Sequence, residues 1–359
     1  MITKRLLAAT LLALGGWAPF GAPTPAAAQT VEAEEAAPPY VSTWEVPTAA
    51  GMALGPDGLL YVSSPDAVRF PGFPTQGVDR VEKLDLTGTS VGGFGANGAG
   101  PGQFTTPEGI AVDPSGAVYV VDFGNNRVQK FTAAGAFVTQ WGSRGSGQDQ
   151  FDDPGEIAVH QGHVFVADGG NHRVQKFTTS GAFVDEWTIE NTGSENNPDR
   201  PWGLAVSAGG TVYVGIASDG GDDRIGRYST SGSSLGSWSN PGVNNGLGIG
   251  PDGSVYVADG FHSRITRYSS SGTQLARWGS YGVEPGQFVE LRDVVVDATG
   301  NVYASSLDER IQKFGTPQMR PDARVRRGSQ GAFVGDGVHN ADGTDQTATA
   351  DLAPGAKVN

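Results

Sequence analysis

The residues of greatest chemical interest in this 359-residue chain stand at one repeated place, just ahead of a short apolar run. They are Glu108 ahead of Ile110-Ala111-Val112, Glu156 (beside Gly155) ahead of Ile157-Ala158-Val159, and Trp202 ahead of Leu204-Ala205-Val206. Asn245 precedes Leu247, Arg292 and Asp293 precede Val294, and Ala50 holds the place at the first such run. Carboxylates, an indole, an amide and a guanidinium can together bind a sugar, a peptide end or a cation. The oxygens of Glu108, Glu156 and Asn245 suit a hard cation such as Ca²⁺. The competing reading is an ordinary polar channel filled with water. Everything depends on whether the fold brings these places together.

The elements that must do so recur along the chain. One unit reads Gly109-Ile110-Ala111-Val112-Asp113, a turn at Pro114-Ser115-Gly116, then Val118-Tyr119-Val120-Val121-Asp122. It continues with Asn126-Arg127-Val128-Gln129-Lys130-Phe131, a turn at Gly135, and Phe137-Val138-Thr139-Gln140-Trp141. Four short β-rich runs separated by turn residues make one propeller blade. First strands start near Met52, Ile110, Ile157, Leu204, Leu247 and Val294, with steps of 58, 47, 47, 43 and 47 residues. The longer first step holds an insertion, Ser63 to Asp79. Six starts predict an all-β, six-bladed β-propeller. Its strand-leading residues then rim the central channel.

The fourth strand of each blade carries an aromatic residue: Phe94, Trp141, Trp187, Trp238 and Trp278. Blade six lacks that strand after Phe314, and Tyr40-Val41-Ser42-Thr43-Trp44 matches the missing piece. The N-terminal strand is therefore expected to complete the last blade and remove the exposed edges of an open ring. A second spacing repeats, with Phe104, Phe151 and Phe288 each 10 residues after an outer aromatic. This predicts an aromatic packed between neighbouring blades.

The runs Val120-Val121-Asp122, Asn126-Arg127-Val128-Gln129-Lys130-Phe131 and Val166-Ala167-Asp168-Gly169-Gly170-Asn171-His172-Arg173-Val174-Gln175-Lys176-Phe177 resemble NHL repeats. The resemblance spans residues 40–315, is fullest in blades two, three and five, and departs in blades one, four and six. It implies the propeller, whereas function is open, because that family hosts lyases, RNA binders and protein-binding scaffolds. One relative of this kind is an amidating lyase whose zinc is held by His from several blades. Of the five His here (His160, His163, His172, His262 and His339) only His172 falls in that register, and a zinc site normally needs three convergent ligands. The pairs Asp122/Arg127, Asp168/Arg173 and Asp259/Arg264 keep one spacing in three blades. Repetition at equivalent places reads as structure, a carboxylate holding an Arg that ties down a loop, and less as an anion site.

Composition sets further bounds. Gly at 55 residues and Pro at 22 suit a chain of many turns. There is no Cys, which excludes disulfides, a thiolate nucleophile and lipid attachment at Cys. Lys4-Arg5, an apolar stretch Leu6–Trp17 and Ala26-Ala27-Ala28 have the layout of a cleaved secretory signal peptide over residues 1–28. Residues 29–39 then form a linker, and the mature protein is expected to be secreted or periplasmic, with no membrane span. The formal charge of −14 becomes −16 without Lys4 and Arg5, which disfavours nucleic acid as a partner. Residues 316–359 are a Gly/Asp/Thr-rich tail that resembles the opening of a β-sandwich module.

No phosphate loop or nucleophile elbow has helix context. These residues point to a non-catalytic scaffold that binds a protein, peptide or glycan over the loop-bearing face and needs no cofactor. The insertion, with Arg69, Phe70 and Phe73, is a further contact on that face or a simple cover for blade one. The alternative is a cation-dependent lyase or lactone hydrolase at the channel mouth. There Glu108, Glu156 and Asn245 would hold the ion, Ca²⁺ for example, and Arg292 would act as electrophile.

Overall fold

The computed structural model describes residues 35–46, 48–65, 78–190, 199–218, 223–240, 242 and 244–315, together with four two-residue strands further on. The signal peptide, the first half of the linker and most of the insertion lie outside the described residues. In the tail, Arg326–Arg327 pairs with Phe333–Val334 and Val338–His339 with Asp345–Gln346; the rest of it lies outside as well.

Strand β1 (Tyr40–Glu45), the first among the described residues, belongs to the last blade. Blade one is β2 (Met52–Leu54), β3 (Leu60–Ser64), β4 (Arg80–Leu84) and β5 (Ser90–Phe94). Blade two is β6 (Pro107–Val112), β7 (Val118–Asp122), β8 (Arg127–Phe131) and β9 (Phe137–Trp141). Blade three is β10 (Pro154–His160), β11 (His163–Asp168), β12 (Arg173–Thr178) and β13 (Phe183–Thr188). Blade four is β14 (Arg200–Val206), β15 (Thr211–Ala217), β16 (Arg224–Ser229) and β17 (Ser234–Ser239). Blade five is β18 (Asn244–Ile249), β19 (Val255–Asp259), β20 (Arg264–Tyr268) and β21 (Gln274–Trp278). Blade six is β22 (Leu291–Val296), β23 (Val302–Ser306), β24 (Arg310–Phe314) and β1, in the order β22-β23-β24-β1. Each inner strand touches the next around the circle, and β22 touches β2. The six-bladed propeller expected from the repeats is therefore present. Among the described residues the only helical pieces are two 3₁₀ turns, Phe123–Asn125 and Gly169–Asn171.

The second strand of each blade is the core strand. Leu60–Ser64, Val118–Asp122, Val255–Asp259 and Val302–Ser306 are buried at every position, as continuous apolar runs inside packed sheets should be. The core lies in layers between blades. Ala111, Tyr119, Val121 and Trp141 of blade two pack on Ile157, Val164, Val166 and Phe177 of blade three. The paired Phe residues behave as their spacing predicted. Phe104 is fully buried between blades one and two, 5.5 Å from Phe131, with Phe151–Phe177 and Phe288–Phe314 repeating the contact at 5.7 and 6.0 Å.

Two devices join each blade to the next. The outer aromatic lies on the glycine turn of the following blade. A Cβ at Gly88 would sit 2.2 Å from the Trp44 ring, and one at Gly181 2.6 Å from Trp141. Both glycines have φ of +89°, so turn geometry and close approach alike require Gly there. The third strand supplies a lysine that crosses an aromatic ring of its own blade and donates to the next blade's turn. Lys130 lies 5.1 Å from the Tyr119 centroid and donates to Thr179 O at 2.9 Å. Lys176 does the same over Phe165 to Thr230 O. Lys313, over Tyr303, reaches Leu86 O of blade one, so the staple also spans the closing seam.

The seam itself is β1 on β24, antiparallel, with Trp44 opposite Ile311 and Glu45 opposite Arg310. Trp44, Tyr303 and Ile311 are buried together with Leu60 and Val62 of blade one. Removing Tyr40–Val46 would strip β24 of its partner and open this layer. The expected outcome is a thermal midpoint lower by more than about 10 °C, or loss of soluble protein. Val41→Ala, at a position 44% exposed, should leave the midpoint within about 1 °C. Equal midpoints for the deletion and the parent, by calorimetry, would contradict the closure.

Candidate functional site at the channel mouth

Each inner strand from blade two to blade six is irregular at its start. Pairing with the core strand slips between Pro107 and Ile110, Pro154 and Ile157, Pro201 and Leu204, Asn244 and Leu247, and Leu291 and Asp293. These are β-bulges, which add a residue and re-aim its side chain. The residues inside them are Glu108-Gly109, Gly155-Glu156, Trp202-Gly203, Asn245-Gly246 and Arg292. The backbone enters four of the six inner-strand segments through a left-handed residue, Thr48, Thr106, Asp153 or Glu290, at φ of 37–53°. Non-glycine residues seldom occupy that region.

Two tiers result. The upper tier is Ala50, Glu108, Gly155, Trp202, Asn245 and Arg292. The next residue down is Gly51, Gly109, Glu156, Gly203, Gly246 and Asp293. Four of the six are glycine, and at Gly51, Gly109 and Gly246 glycine is a packing requirement. A Cβ at Gly109 would lie 2.7 Å from Gly155 O and 2.8 Å from Glu156 Cα, and one at Gly246 would lie 1.8 Å from Asp293 Oδ1. The space that glycine leaves near the axis is taken by two carboxyl groups from opposite blades, Glu156 of blade three and Asp293 of blade six.

The electrostatics follow from this crowding. Asp293 is buried, and its Oδ2 accepts the Met52 amide at 2.6 Å while Oδ1 accepts that of Val294 at 2.7 Å. Burial nevertheless pushes its carboxyl up to about 7, with those two amides pulling the other way. Glu156 is raised well above the usual carboxylate range, first by burial and then by the charges of Asp293 and Glu108. Glu108 is pushed up to about 7 by burial, against a downward pull from the Arg292 guanidinium. Arg292 also faces Glu290, with Nη2 3.4 Å from Oε1. Three carboxyl groups and one guanidinium thus share the mouth.

The predicted rim residues fall into two kinds. Glu108 feels the Arg292 guanidinium, and Glu156 feels the charges of Asp293 and Glu108. Asp293 is committed to backbone amides across the closing seam and positions blade six against blade one. Trp202 lies over Gly155, whose Cβ would meet Trp202 Cδ2 at 3.2 Å, and extends to Phe123 of blade two at 6.0 Å between ring centroids. Asn245 gives its Nδ2 hydrogen to Leu291 O at 2.7 Å, and its carbonyl oxygen is the atom that could ligate a cation. Among the described residues no three His, Cys, Asp or Glu converge as a metal cluster.

The other sequence candidates lie elsewhere. Arg127–Asp122, Arg173–Asp168 and Arg264–Asp259 are closed ion pairs at 2.8, 2.8 and 2.9 Å. Asp122 also accepts Thr105 N, Asn125 Nδ2 and Gln129 Nε2, and Arg127 donates to Ala99 O and Gly100 O. The pair therefore pins the loop between blades. His172 sits at φ of 56° in the place of Asn126 and Ser263, with Nδ1 3.1 Å from Asp199 O. Sequence reasoning missed Phe123, Phe261, Tyr281 and Glu290. The first three stand in face loops, and two are visible as departures from the repeat: Phe261 replaces Gly124 and Gly170 of blades two and three, and Tyr281 replaces Asn97 and Arg144.

Comparison with known proteins agrees with this architecture. The NHL repeat model matches residues 104–131 and 151–177. Blades two and three thus carry NHL repeats, within a six-bladed β-propeller. Its fold is similar to a streptogramin B lyase (15% identity, 75% of this chain and 93% of that one, TM-score 0.51). It is also similar to virginiamycin B lyase from Staphylococcus aureus (13% identity, 77% and 99%, TM-score 0.53). A gluconolactonase from Xanthomonas campestris aligns at 15% identity over 80% and 99%, with a TM-score of 0.55. No curated protein matches this chain in sequence.

The raised carboxyl groups make a stability prediction. An acid whose folded pKa lies above its ordinary value stabilises the fold below the ordinary range, and that contribution disappears as pH rises toward the folded pKa. For Glu108 the window runs from 4.5 to about 7. Glu108→Gln should therefore melt with the parent near pH 4 and above it by about 2–4 °C at pH 8. The same offset at both pH values would show that burial does not set this carboxyl's charge.

Proposed function

We propose that this propeller is an exported recognition scaffold that binds a protein or peptide ligand over its loop-bearing face, with the channel mouth receiving a positively charged group. The observation that carries the reading is the meeting of Glu108 and Glu156 beside Asp293, with Arg292 as the opposing charge. A bound cation gives these carboxylates the counter-charge that burial denies them. Trp202 and Phe123 form an apolar shelf beside them. His262 is held on Asp259 and His172 on Asp199 O.

A second reading rests on the same carboxyl groups. Carboxyl groups that burial raises toward neutrality suit proton transfer, and two of the similar folds are a streptogramin B lyase and a gluconolactonase. In that case Glu108, Glu156 and the Asn245 carbonyl would hold a cation, which would polarise a substrate oxygen.

A cation that binds ionised carboxylates lowers their pKa and releases protons, so binding tightens as pH rises. A dilysine peptide should bind about tenfold more tightly at pH 8 than at pH 6, and lose about tenfold in Glu108→Gln/Glu156→Gln, by calorimetry. Binding that is flat with pH and unchanged in the variant would sink the scaffold reading. About one Ca²⁺ per chain surviving exhaustive dialysis, and absent from the variant, would favour the lyase or hydrolase instead.

A further inference from the structure

Beside the channel mouth, blades five and six leave a cleft of about 370 Å³ lined by Asn245, Gly260, Phe261, Ser263, Tyr281 and Glu290. Its walls are unusual for the surface. Phe261 is 76% exposed and Tyr281 75%, among the most exposed large apolar side chains described. Each stands where the repeat elsewhere has a glycine or a polar residue. Phe261 is held in place, because its edge-on neighbour His262 (4.9 Å) is anchored by Nδ1 to Asp259 Oδ2 at 2.8 Å. Tyr281 is fixed at its backbone by the bridge to buried Phe288. The Glu290 carboxylate is 41% exposed, and its contact with Arg292 is long, at 3.4 Å.

We propose that this cleft binds an arginine side chain of a protein or peptide partner, the guanidinium stacking on Tyr281 and Phe261 and pairing with Glu290. Two aromatic faces and a carboxylate are the groups a planar cation uses together. The chain's charge of −14 favours a basic partner. Arg292 lies between Glu290 of the cleft and Glu108 of the channel, and Asn245 belongs to both, so the two sites adjoin. The proposal rests on the recognition reading above and names the partner chemistry at a second place on the same face.

The test uses the mature chain and a peptide with a single arginine, acetyl-Gly-Ser-Arg-Gly-Ser-amide, titrated by NMR chemical shifts. The comparison ligands are its citrulline counterpart, a neutral isostere, and maltohexaose. Phe261→Ala/Tyr281→Ala changes only exposed side chains, and its circular dichroism should match the parent. The arginine peptide should bind about tenfold more weakly to this variant, and the citrulline peptide about tenfold more weakly to the parent. In Glu108→Gln/Glu156→Gln, which leaves the cleft side chains intact, the Phe261 and Tyr281 resonances should still shift on adding the arginine peptide, whatever binding the channel loses. Loss in the channel variant with none in the aromatic variant would overturn the cleft while leaving the channel reading intact. No binding of the peptide, equal binding of citrulline, or maltohexaose in the cleft instead would each overturn it as well.

Discussion

Everything at the channel mouth depends on how closely six inner strands can approach a common axis. At the level of Gly51, Gly109 and Gly246 the neighbouring blade stands where a Cβ would be, as Gly155 O does for Gly109. Strands this close cannot all carry side chains at that level. The chain answers with glycine in four blades and a carboxyl group in the other two. Glu156 and Asp293 enter the space the glycines leave, and having entered it they are poorly hydrated and near each other. Packing thus produces the electrostatics.

The bulges convert this packing rule into a site. A regular strand would alternate its side chains between the two faces of a blade. The slip between Pro107 and Ile110, repeated in four further blades, turns one residue per blade toward the mouth. Bulges persist near sites because they re-aim side chains. The loops behind them are held by the Asp–Arg pairs and by Asn125 and Asn171, which bond Asp122 and Asp168. In blade four, which lacks the full run, Arg224 pairs with Asp199 from the preceding loop. In blade six Arg310 pairs with Asp308. Different residues reach the same end, a guanidinium locked by a carboxylate between blades.

Much of the fold was legible because repetition averages out local ambiguity. Val118–Asp122 alone could be any buried strand, but its five returns, with an aromatic and a glycine turn at recurring offsets, leave one architecture. The matching of Tyr40–Trp44 to Phe137–Trp141 located the seam for the same reason. The site was legible only as positions. That Glu108, Trp202, Asn245 and Arg292 lead their strands is visible in order of residues, yet the bulges are not, because a two-for-one pairing is a relation between strands. Asp293 illustrates the difference: in sequence it is a neighbour of Arg292, and in space both its oxygens belong to backbone amides of blades one and six. Phe261 and Tyr281 are hidden in the repeat pattern because they are departures from it.

The central claim is that the axis forces carboxyl groups together where water is scarce. The most direct measurement is a carbon-13 NMR titration of the Glu and Asp side-chain carboxyl groups in the intact propeller, assigned with Glu108→Gln, Glu156→Gln and Asp293→Asn. The account predicts that Glu108 and Asp293 take up protons near pH 7 and Glu156 well above the usual carboxylate range, and that replacing Asp293 shifts Glu156 downward. Ordinary titration of all three near pH 4, unchanged by the substitutions, would contradict it.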